Sequence, residues 1–316
     1  MPYQLINSDC LVWMNEQEEN SITAIVTDPP YGVREYTEEE IAKQRQGKGG
    51  IWRIPPSFDG HTRQALPRFS VINDDPKERK NVYAFFYRWG KAALRLLVPG
   101  GHVFVASTPL LSDIVSLAMR DAGFERRGEI IRTVSTLRGG DRPRGAEAEF
   151  SETSVIPKGM WEPWGLYRKP ISEKTVAENL RTWNAGALKR ESADTPFCDL
   201  IFSQRTPRIE REIAPHPSIK PQKFLRQLVY ASLPFGKGVI LDPFAGSGST
   251  LAAAEFFGFH SIGIEKDALY YKMGLEAIPK LADLYSEEAA YGLKKGKTEE
   301  SEVYQQCTFE SVRERA

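Results

Sequence analysis

The chain carries two short apolar runs, far apart in sequence, that each predict a strand buried within a sheet. Residues 22–26 read ITAIV and residues 239–241 read VIL. Four of the five residues in the first run are β-branched, which is typical of a strand covered on both faces. The second run is followed by a glycine-containing turn, by the helical segment TLAAAEFF at 250–257 and by an apolar strand at 261–264. This order predicts an α/β fold.

Each of the two runs leads into an aspartate and a distinctive loop. Asp28-Pro29-Pro30-Tyr31 follows the first run, and residues 242–250 after the second read DPFAGSGST. Ligands of open α/β sheets bind at the carboxyl ends of the strands, so both loops are candidate sites. The two prolines restrict the backbone of the first loop and fix the directions of its carbonyl groups. A stiff surface turn without a ligand is the alternative for this loop.

The glycine turn after the second run predicts a nucleoside-binding site. Gly246 and Gly248 allow positive φ and a close approach of the backbone to a ligand, and the N–H groups that begin the helix favour an anionic group. Glu265 lies about 23 residues after Asp242, near the spacing of roughly 20 at which a carboxylate binds ribose hydroxyls. Leu251 stands where a dinucleotide fingerprint has a third small residue. An adenosine-bearing ligand without pyrophosphate fits better, and a tight connection without a ligand is the alternative.

The residue types of the first loop suit methylation of a conjugated amino group. The exocyclic amino group of adenine or cytosine is a poor nucleophile because its lone pair is delocalised into the ring. Asp28 and the Pro29 carbonyl can accept its N–H bonds and stabilise charge that develops in the transition state, and Tyr31 offers a face on which a flipped base stacks. Methylation at carbon 5 of cytosine instead needs a thiolate, usually just after a proline. None of the three cysteines follows one: Cys10, Cys198 and Cys307.

Together with further segments, these loops resemble the amino-DNA methyltransferases of the β class, in which the catalytic half precedes the S-adenosylmethionine half. The further segments are SDCL at 8–11, WGKAALRLLVPGG at 89–101 with the strand at 102–106, HPSIKP at 216–221 and GIE at 263–265. The resemblance implies a Rossmann-like, seven-stranded α/β sheet that is permuted and carries an inserted target-recognition domain. It divides the chain into a catalytic half at 1–132, the recognition domain at 133–213, a cofactor half at 214–285 and a polar tail at 286–316.

The resemblance also implies roles for individual residues. Residues 28–31 form the catalytic loop that receives a flipped base. Asp9 and Cys10 border the adenine of the cofactor, Lys220 lies near its methionine end and Glu265 holds its ribose. The other implied cofactor contacts are Asp28 and the turn residues Phe244, Ala245, Gly246, Ser247, Gly248, Ser249 and Thr250. In this family an aspartate at the first loop position occurs mostly with adenine and a serine with cytosine, so the adenine amino group is the predicted target and that of cytosine the alternative.

Two other classes of protein share parts of this pattern. RNA and protein-glutamine methyltransferases also use an Asn- or Asp-Pro-Pro-Tyr loop, but their glycine turn precedes that loop, whereas here it follows. A catalytically silent relative that only binds DNA is a further alternative, and the intact catalytic loop argues against it.

Net charge does not single out a nucleic-acid partner, because lysine plus arginine and aspartate plus glutamate are 42 each, whereas a DNA-binding protein is expected to have a basic patch. The predicted recognition domain nevertheless contains two local clusters, RGGDRPR at 138–144 and WEPWGLYRK at 161–169. Double-stranded DNA is the predicted partner, and the candidate contacts are Arg138, Arg142, Arg144, Trp164, Arg168 and Lys169. For the tryptophans, packing within a small domain is the alternative.

The remaining features are those of an ordinary cytoplasmic enzyme. No apolar run of about 18 residues predicts a membrane span, and the first residues lack the basic and apolar regions of a signal peptide. Three cysteines and four histidines form neither a disulfide framework nor a metal-binding spacing. Residues 34–80 are predicted to form a mobile loop that closes over base and cofactor, or else a disordered insertion. A homodimer and a cognate restriction endonuclease are hypotheses about partners that the sequence does not decide.

Overall fold

A mixed β-sheet organises the part of the chain that the structure describes. The structure is a computed structural model, and it describes residues 3–30, 76–136, 143, 145–146, 148–155, 157, 159–216 and 218–285. Within these ranges, an eight-stranded sheet has the order β1-β8-β7-β2-β3-β5-β4-β6, with the strands β1 (Tyr3–Asn7), β2 (Ile22–Thr27), β3 (Leu97–Ala106), β4 (Glu125–Thr136), β5 (Gly159–Arg168), β6 (Leu200–Phe202), β7 (Val239–Asp242) and β8 (His260–Glu265). Strand β5 is antiparallel to β3 and β4, and the other neighbouring pairs are parallel.

Helices cover both faces of this sheet. Their bounds are α1 (Cys10–Glu16), α2 (Pro76–Leu96), α3 (Ser112–Ala122), α4 (Val176–Trp183), α5 (Arg208–Ile213), α6 (Gln222–Ser232), α7 (Ser249–Phe256) and α8 (Ala268–Ala282). Helices α1, α2 and α3 contribute to one buried cluster, which contains Trp89 and Val103. Helices α6 and α7 contribute to the cluster on the opposite face, which contains Phe104 and Phe224. Because Val103 and Phe104 are successive in β3, they point to opposite faces and divide the core into two layers.

Local sequence explains where the elements nearest the site begin. All six residues of β2 are buried, as its β-branched composition predicts. Asp9 caps α1 by accepting the backbone N–H of Leu11 at 2.9 Å. Helix α2 begins at Pro76, whose fixed φ suits the first helical position. Gly248, with φ 82°, precedes α7, and a Cβ atom at this position would collide with Ile278. Because β2 and β7 are parallel neighbours, the chain leaves both strands at the same edge of the sheet.

The α/β, Rossmann-like fold predicted from the sequence is confirmed. The runs at 22–26 and 239–241 form β2 and β7, which are parallel neighbours, and the segments at 250–257 and 261–264 correspond to α7 and β8. Seven strands in the order β1-β8-β7-β2-β3-β5-β4 correspond to the expected sheet. The three-residue strand β6 adds an eighth at the edge next to β4.

Two predicted boundaries need correction. Residues 133–213 were expected to form a separate recognition domain, but β5 lies within that range and is hydrogen-bonded between β3 and β4. The apolar residues of β5 from Trp164 to Tyr167 are buried on both faces, so this segment completes the sheet instead of leaving it. The second correction concerns the predicted loop at 34–80, because residues 76–80 form the first turns of α2. Residues 34–75 and the predicted tail at 286–316 lie outside the described residues.

No helix in the described ranges combines the length and the apolar character needed to cross a membrane.

Candidate active site

Asp28 lies directly after β2, at the carboxyl edge of the sheet. Its side chain is 16% exposed, and one of its carboxylate oxygens, Oδ2, accepts a hydrogen bond from the Lys220 ammonium group, which is 9% exposed. Lys220 lies two residues before the start of α6. Burial alone would lower the pKa of Lys220, but the carboxylates of Asp28 and Glu162 outweigh that effect and raise the pKa above its usual value. Asp28 is thus held in a nearly buried ion pair at the mouth of a cleft.

Asp242 connects the ends of the two central strands. Its buried carboxylate accepts hydrogen bonds from the hydroxyl of Thr27 at 2.7 Å and from the backbone N–H of Phe244 at 3.1 Å. Burial raises the pKa of the Asp242 carboxyl to about 6. Because Thr27 immediately precedes Asp28, this contact fixes the catalytic loop relative to the glycine turn.

Glu265, at the end of β8, anchors the glycine turn from the other side. One oxygen accepts the backbone N–H of Gly246 at 2.8 Å, and the other accepts that of Asp267 at 2.7 Å. Burial raises the pKa of this carboxyl above its usual value. Gly246 has φ 52°, and a Cβ atom there would lie 3.1 Å from the ring of His216, so only glycine fits the turn without strain.

A cleft runs between the catalytic loop and the glycine turn. Its lining includes Asp28, His216, Lys220, Asp242 and the turn residues Phe244, Ala245, Gly246, Ser247, Ser249 and Thr250. The hydroxyl of Ser247 is buried and has no hydrogen-bond partner among the described residues. A buried hydroxyl of this kind is normally satisfied by a ligand or by water. With the acidic Glu265 nearby, the donor set fits a nucleoside-containing cofactor such as S-adenosylmethionine.

Asp9 and Cys10 lie at the same edge, because β1 pairs with β8 and Asn7 is opposite Glu265. The Asp9 carboxylate lies 3.6 Å from the ammonium of Lys266. Cys10 is buried, and burial raises the pKa of its thiol to about 12. A thiol of this kind is a wall residue and not a nucleophile. The structure therefore gathers Asp9, Cys10 and Glu265 at one end of the carboxyl edge.

A second acidic residue, Glu162 of β5, reaches the same group of charges. Its Oε1 accepts the indole N–H of Trp164 at 2.8 Å and lies 3.3 Å from the guanidinium of Arg132, while Oε2 lies 3.8 Å from the ammonium of Lys220. Burial alone would raise the pKa of the Glu162 carboxyl, but Lys220 and Arg132 outweigh that effect and lower it. Four alternating charges thus extend from β4 to the catalytic loop.

Two of the predicted DNA contacts, Trp164 and Arg168, are corrected by the structure because their side chains are buried, whereas Lys169 is half-buried. Trp164 is fully buried and packs edge-on against Phe224, at 5.3 Å between ring centroids. Arg168 is also buried and pairs with Glu125. Lys169 donates to the carbonyl of Leu97 at 2.7 Å. In the register of β3 and β5, Arg168 lies opposite His102, whereas Thr27, just before Asp28, lies opposite Val105 near the other end of β3. Arg168 and Lys169 are therefore at the end of the strands away from Asp28. Arg138, Arg142, Arg144 and Tyr31 lie outside the described residues.

The sequence interpretation assigned no role to Glu162, Arg132 or His216. Glu162 stands between two tryptophans in the run WEPW, and an acid inside an apolar strand is a recognisable signal for a buried, paired charge. Arg132 carries no such signal, because its partners come from other parts of the chain. His216 stacks edge-on with Tyr270 at 4.3 Å, and burial lowers its pKa to about 4, so this ring is neutral near pH 7.

Comparison with known proteins agrees with this site. A family model described as DNA methylase matches residues 22–276, a range that contains both loops. The chain is similar to the type II methyltransferase M.HindIII of Haemophilus influenzae, with 24% identity over 295 residues that cover 87% of this chain and 94% of the relative.

Solved structures share the fold. The PvuII DNA methyltransferase, described as cytosine-N4-specific, matches with a TM-score of 0.58 at 15% identity, covering 91% of this chain and 89% of that one. TTHA0409 of Thermus thermophilus, solved in complex with S-adenosyl-L-methionine, matches with a TM-score of 0.51 at 20% identity, covering 90% and 98%. At these identities the structural likeness carries the fold alone.

Proposed function

This chain belongs to the N6/N4 DNA methylase family, and we propose that it methylates the exocyclic amino nitrogen of adenine in duplex DNA. It is a DNA methyltransferase, and S-adenosylmethionine is its cofactor. The observation that carries the proposal is the position of Asp28, a carboxylate at the carboxyl edge of β2, in the same cleft as the glycine turn. Acceptors at this place suit a reaction in which an amino nitrogen, and not a carbon atom, attacks the methyl group.

The chain's own residues act by preorganisation. S-adenosylmethionine supplies, when bound, an electrophilic methyl group on a positively charged sulfur. Asp28 and the Pro29 carbonyl accept the N–H bonds of the target amino group, which favours a tetrahedral nitrogen with its lone pair free to attack. The hydrogen bond between Thr27 and Asp242 and the ion pair of Lys220 fix the Asp28 carboxylate before the substrate arrives. Fixed dipoles of this kind stabilise charge that develops only in the transition state.

The proposed cofactor contacts divide along the cleft. Glu265 binds the ribose hydroxyls with its remaining lone pairs, since each of its oxygens already accepts one backbone N–H. Ser247 supports this assignment with its unsatisfied buried hydroxyl. Asp9 and Cys10 border the adenine ring, and Lys220 lies near the methionine end. The proposed contacts of the turn extend over Phe244, Ala245, Gly246, Gly248, Ser249 and Thr250.

The choice of adenine over cytosine rests on the identity of residue 28. An aspartate at this loop position accompanies adenine methylation in the β-class pattern that the sequence resembles. The same acceptor geometry serves either amino group, because both are conjugated and both present two N–H bonds. Cytosine N4 is therefore the alternative product.

We place the DNA along the carboxyl edge, with Arg138, Arg142 and Arg144 as phosphate contacts. Trp161 replaces Trp164 as the proposed aromatic contact, since it is 37% exposed and shares the row Trp161–Thr133–Phe202 across β5, β4 and β6. Phe202, at the end of that row, is 52% exposed.

We expect W161A to weaken binding to DNA by about tenfold, in the range of one lost stacking contact, with little change in melting temperature. A matched W164A variant should mainly lose stability, by about 3–5 kcal/mol. Unchanged DNA affinity in folded W161A would place the contact elsewhere.

One labelling experiment tests the function. Unmodified plasmid DNA is incubated with the full chain and methyl-labelled cofactor, and parallel reactions contain RNA or protein instead. One portion of the DNA is digested to nucleosides, which are separated, and a second portion is cut into fragments, of which the labelled ones are sequenced. We expect label in N6-methyladenine at a defined sequence, and none with D28A. Label in N4-methylcytosine would establish the alternative base. Label in RNA or protein, but not in DNA, would overturn the proposal.

A further inference from the structure

Four charged side chains form one nearly buried group beside the cleft, and two of them, Glu162 and Arg132, have no role in the proposed reaction. The exposed fractions of the side chains are 5% for Arg132, 17% for Glu162, 9% for Lys220 and 16% for Asp28. Two positive and two negative charges alternate along the group, so they balance. Removing one member of such a group leaves a buried charge uncompensated, which makes each charge a constraint on the others.

Glu162 is fixed within the sheet. Its Oε1 accepts the indole N–H of Trp164, and both of its oxygens lie within 3.4 Å of the Arg132 guanidinium. Arg132 is itself held by the hydroxyl of Ser203 at 3.0 Å and the carbonyl of Gln204 at 3.1 Å. Arg132 and Glu162 are directly opposed in the register of β4 and β5. These contacts fix the position of the Glu162 carboxylate relative to β4 and β5.

Lys220 is shared between two carboxylates. It donates a hydrogen bond to Asp28, and its ammonium lies 3.8 Å from Glu162 Oε2, an ion pair without a hydrogen bond. An ammonium that pairs with a single carboxylate withdraws electron density from that group and weakens it as an acceptor of further hydrogen bonds. The negative charge of a second carboxylate nearby offsets part of the ammonium's electrostatic field at Asp28. It also stabilises any movement of Lys220 away from Asp28.

We propose that Glu162 is a positioning residue for methyl transfer. By sharing the charge of Lys220, it leaves Asp28 strong enough to accept the N–H bond of the target amino group. The inference rests on the proposed role of Asp28 as that acceptor. Glu162 acts through Lys220 and does not touch the substrate.

The test is E162Q, which keeps the shape of the side chain and an oxygen for Trp164 but removes the charge. We expect the single-turnover rate of methylation to fall about 10 to 100-fold, the loss typical of outer partners that orient a reacting group. The dissociation constants of S-adenosylmethionine and of duplex DNA should stay within about threefold, because Glu162 touches neither ligand and Lys220 keeps its own charge and its hydrogen bond to Asp28.

The matched control is E125Q, the same substitution in the other arginine–glutamate pair of β4 and β5. We expect E125Q to leave the single-turnover rate within about twofold of wild type, since effects at distant independent sites do not couple. Equal losses of rate in E162Q and E125Q would show a general effect of weakening the sheet and would overturn the inference.

A double-mutant cycle separates action through Lys220 from a direct effect. In a K220M background, E162Q should change the rate by less than about twofold, because the charge that Glu162 shares is already absent. Rate losses that multiply in the K220M/E162Q double variant would mean that Glu162 acts by another route, and the inference would fail.

Folding and the parent proposal are controlled separately. If E162Q does not fold, R132Q/E162Q removes a balanced pair and leaves Lys220 with Asp28, and it should show the same loss of rate. A folded R132Q/E162Q that turns over at the wild-type rate overturns the inference. D28A distinguishes failure of the proposed function from failure of the inference about Glu162. A D28A variant that stays active would overturn the proposed function, whereas an inactive D28A together with a fully active E162Q would overturn only the role of Glu162.

Discussion

Strands β4 and β5 carry a directly opposed arginine–glutamate pair near each end, Arg132–Glu162 and Glu125–Arg168. At the carboxyl edge, the first pair continues through Lys220 to Asp28. At the opposite edge, Arg168 pairs with Glu125 at 2.6 Å and donates to the backbone carbonyl of Gly186 at 3.0 Å.

The two pairs differ in the groups that adjoin them, and the proposed role of Glu162 rests on that difference. Burial lowers the pKa of His102, next to Arg168, to about 3, so this neighbour stays neutral near pH 7. The distal pair therefore ends on a carbonyl group and a neutral ring, whereas the proximal pair ends on a carboxylate in a ligand cleft. We expect changes near the cleft to alter the reaction or cofactor binding, and changes at the distal edge to alter stability.

The largest expected effect is that of D28A. Loss of the proposed amino-group acceptor should lower turnover by about three orders of magnitude or more, while the dissociation constant of S-adenosylmethionine changes less than about tenfold. Single-turnover kinetics and calorimetry measure the two quantities. Loss of cofactor binding and of cooperative unfolding together with activity would show that Asp28 is structural, and the contrast between the two edges would disappear.

Asp242 sharpens the comparison through pH. Its folded pKa of about 6 is above the value of 3.8 expected for an unfolded chain, so the folded state holds the proton more tightly. The stabilising contribution is complete below about pH 4 and is lost as pH rises through about 6. We expect the difference in unfolding free energy, wild type minus D242N, to fall by about 3 kcal/mol in total from well below pH 4 to well above pH 6, of which about 2 kcal/mol falls between pH 4 and pH 6.

The D242N variant keeps an oxygen that can accept the hydrogen bonds of Thr27 and Phe244. The comparison with wild type therefore isolates the ionisation of residue 242 from the loss of these two hydrogen bonds. Urea titrations at a series of pH values measure the difference. A difference that is constant with pH would show that Asp242 ionises as readily in the folded chain as in the unfolded one.

Glu265 tests the cofactor end of the carboxyl edge. E265A should raise the dissociation constant of S-adenosylmethionine by about 10 to 100-fold, because bonds worth about 1.5–3 kcal/mol to a charged group are lost. The structure adds a second source of this loss, since Glu265 also holds the N–H of Gly246. Calorimetry measures affinity. S247A removes one proposed cofactor contact but keeps the turn anchored by Glu265, so E265A should lose more affinity than S247A. Wild-type affinity in folded E265A would assign the ribose to other residues.

Sequence patterns predicted the features that depend on local composition. The buried runs, the glycine turn and the acid that ends β8 are all local signals, and the structure brings the last two into hydrogen-bond contact at Gly246 and Glu265. The strand β5 was missed as part of the sheet because aromatic and basic residues within WEPWGLYRK suggest a nucleic-acid surface. Whether such residues face solvent depends on which strands flank them, and that is a property of the tertiary fold.

The charge network illustrates the same limit. Arg132, Glu162 and Lys220 are widely separated in sequence, and no short motif joins them. Their pairing depends on the antiparallel position of β5 between β3 and β4. The family resemblance implied a place for Lys220 near the cofactor, but its two carboxylate partners emerge only when the strands are assembled.

The smallest expected effect is that of R168M at the distal edge, and it completes the comparison. Methionine retains part of the apolar stem but removes the contacts to Glu125 and to the carbonyl of Gly186. The side chain of Glu125 is 38% exposed, so water can solvate the carboxylate that remains, and the loss should be about 1–2 kcal/mol in unfolding free energy. Because the contacts of this pair within the described part of the chain do not reach Asp28, the turnover of the folded variant should stay within about twofold of wild type. Urea unfolding and single-turnover methylation on the same preparation measure both quantities. If R168M kept its stability but lost DNA binding, the guanidinium would be a DNA contact after all, as its basic neighbourhood in the sequence had suggested, and the distal edge could no longer be treated as purely structural.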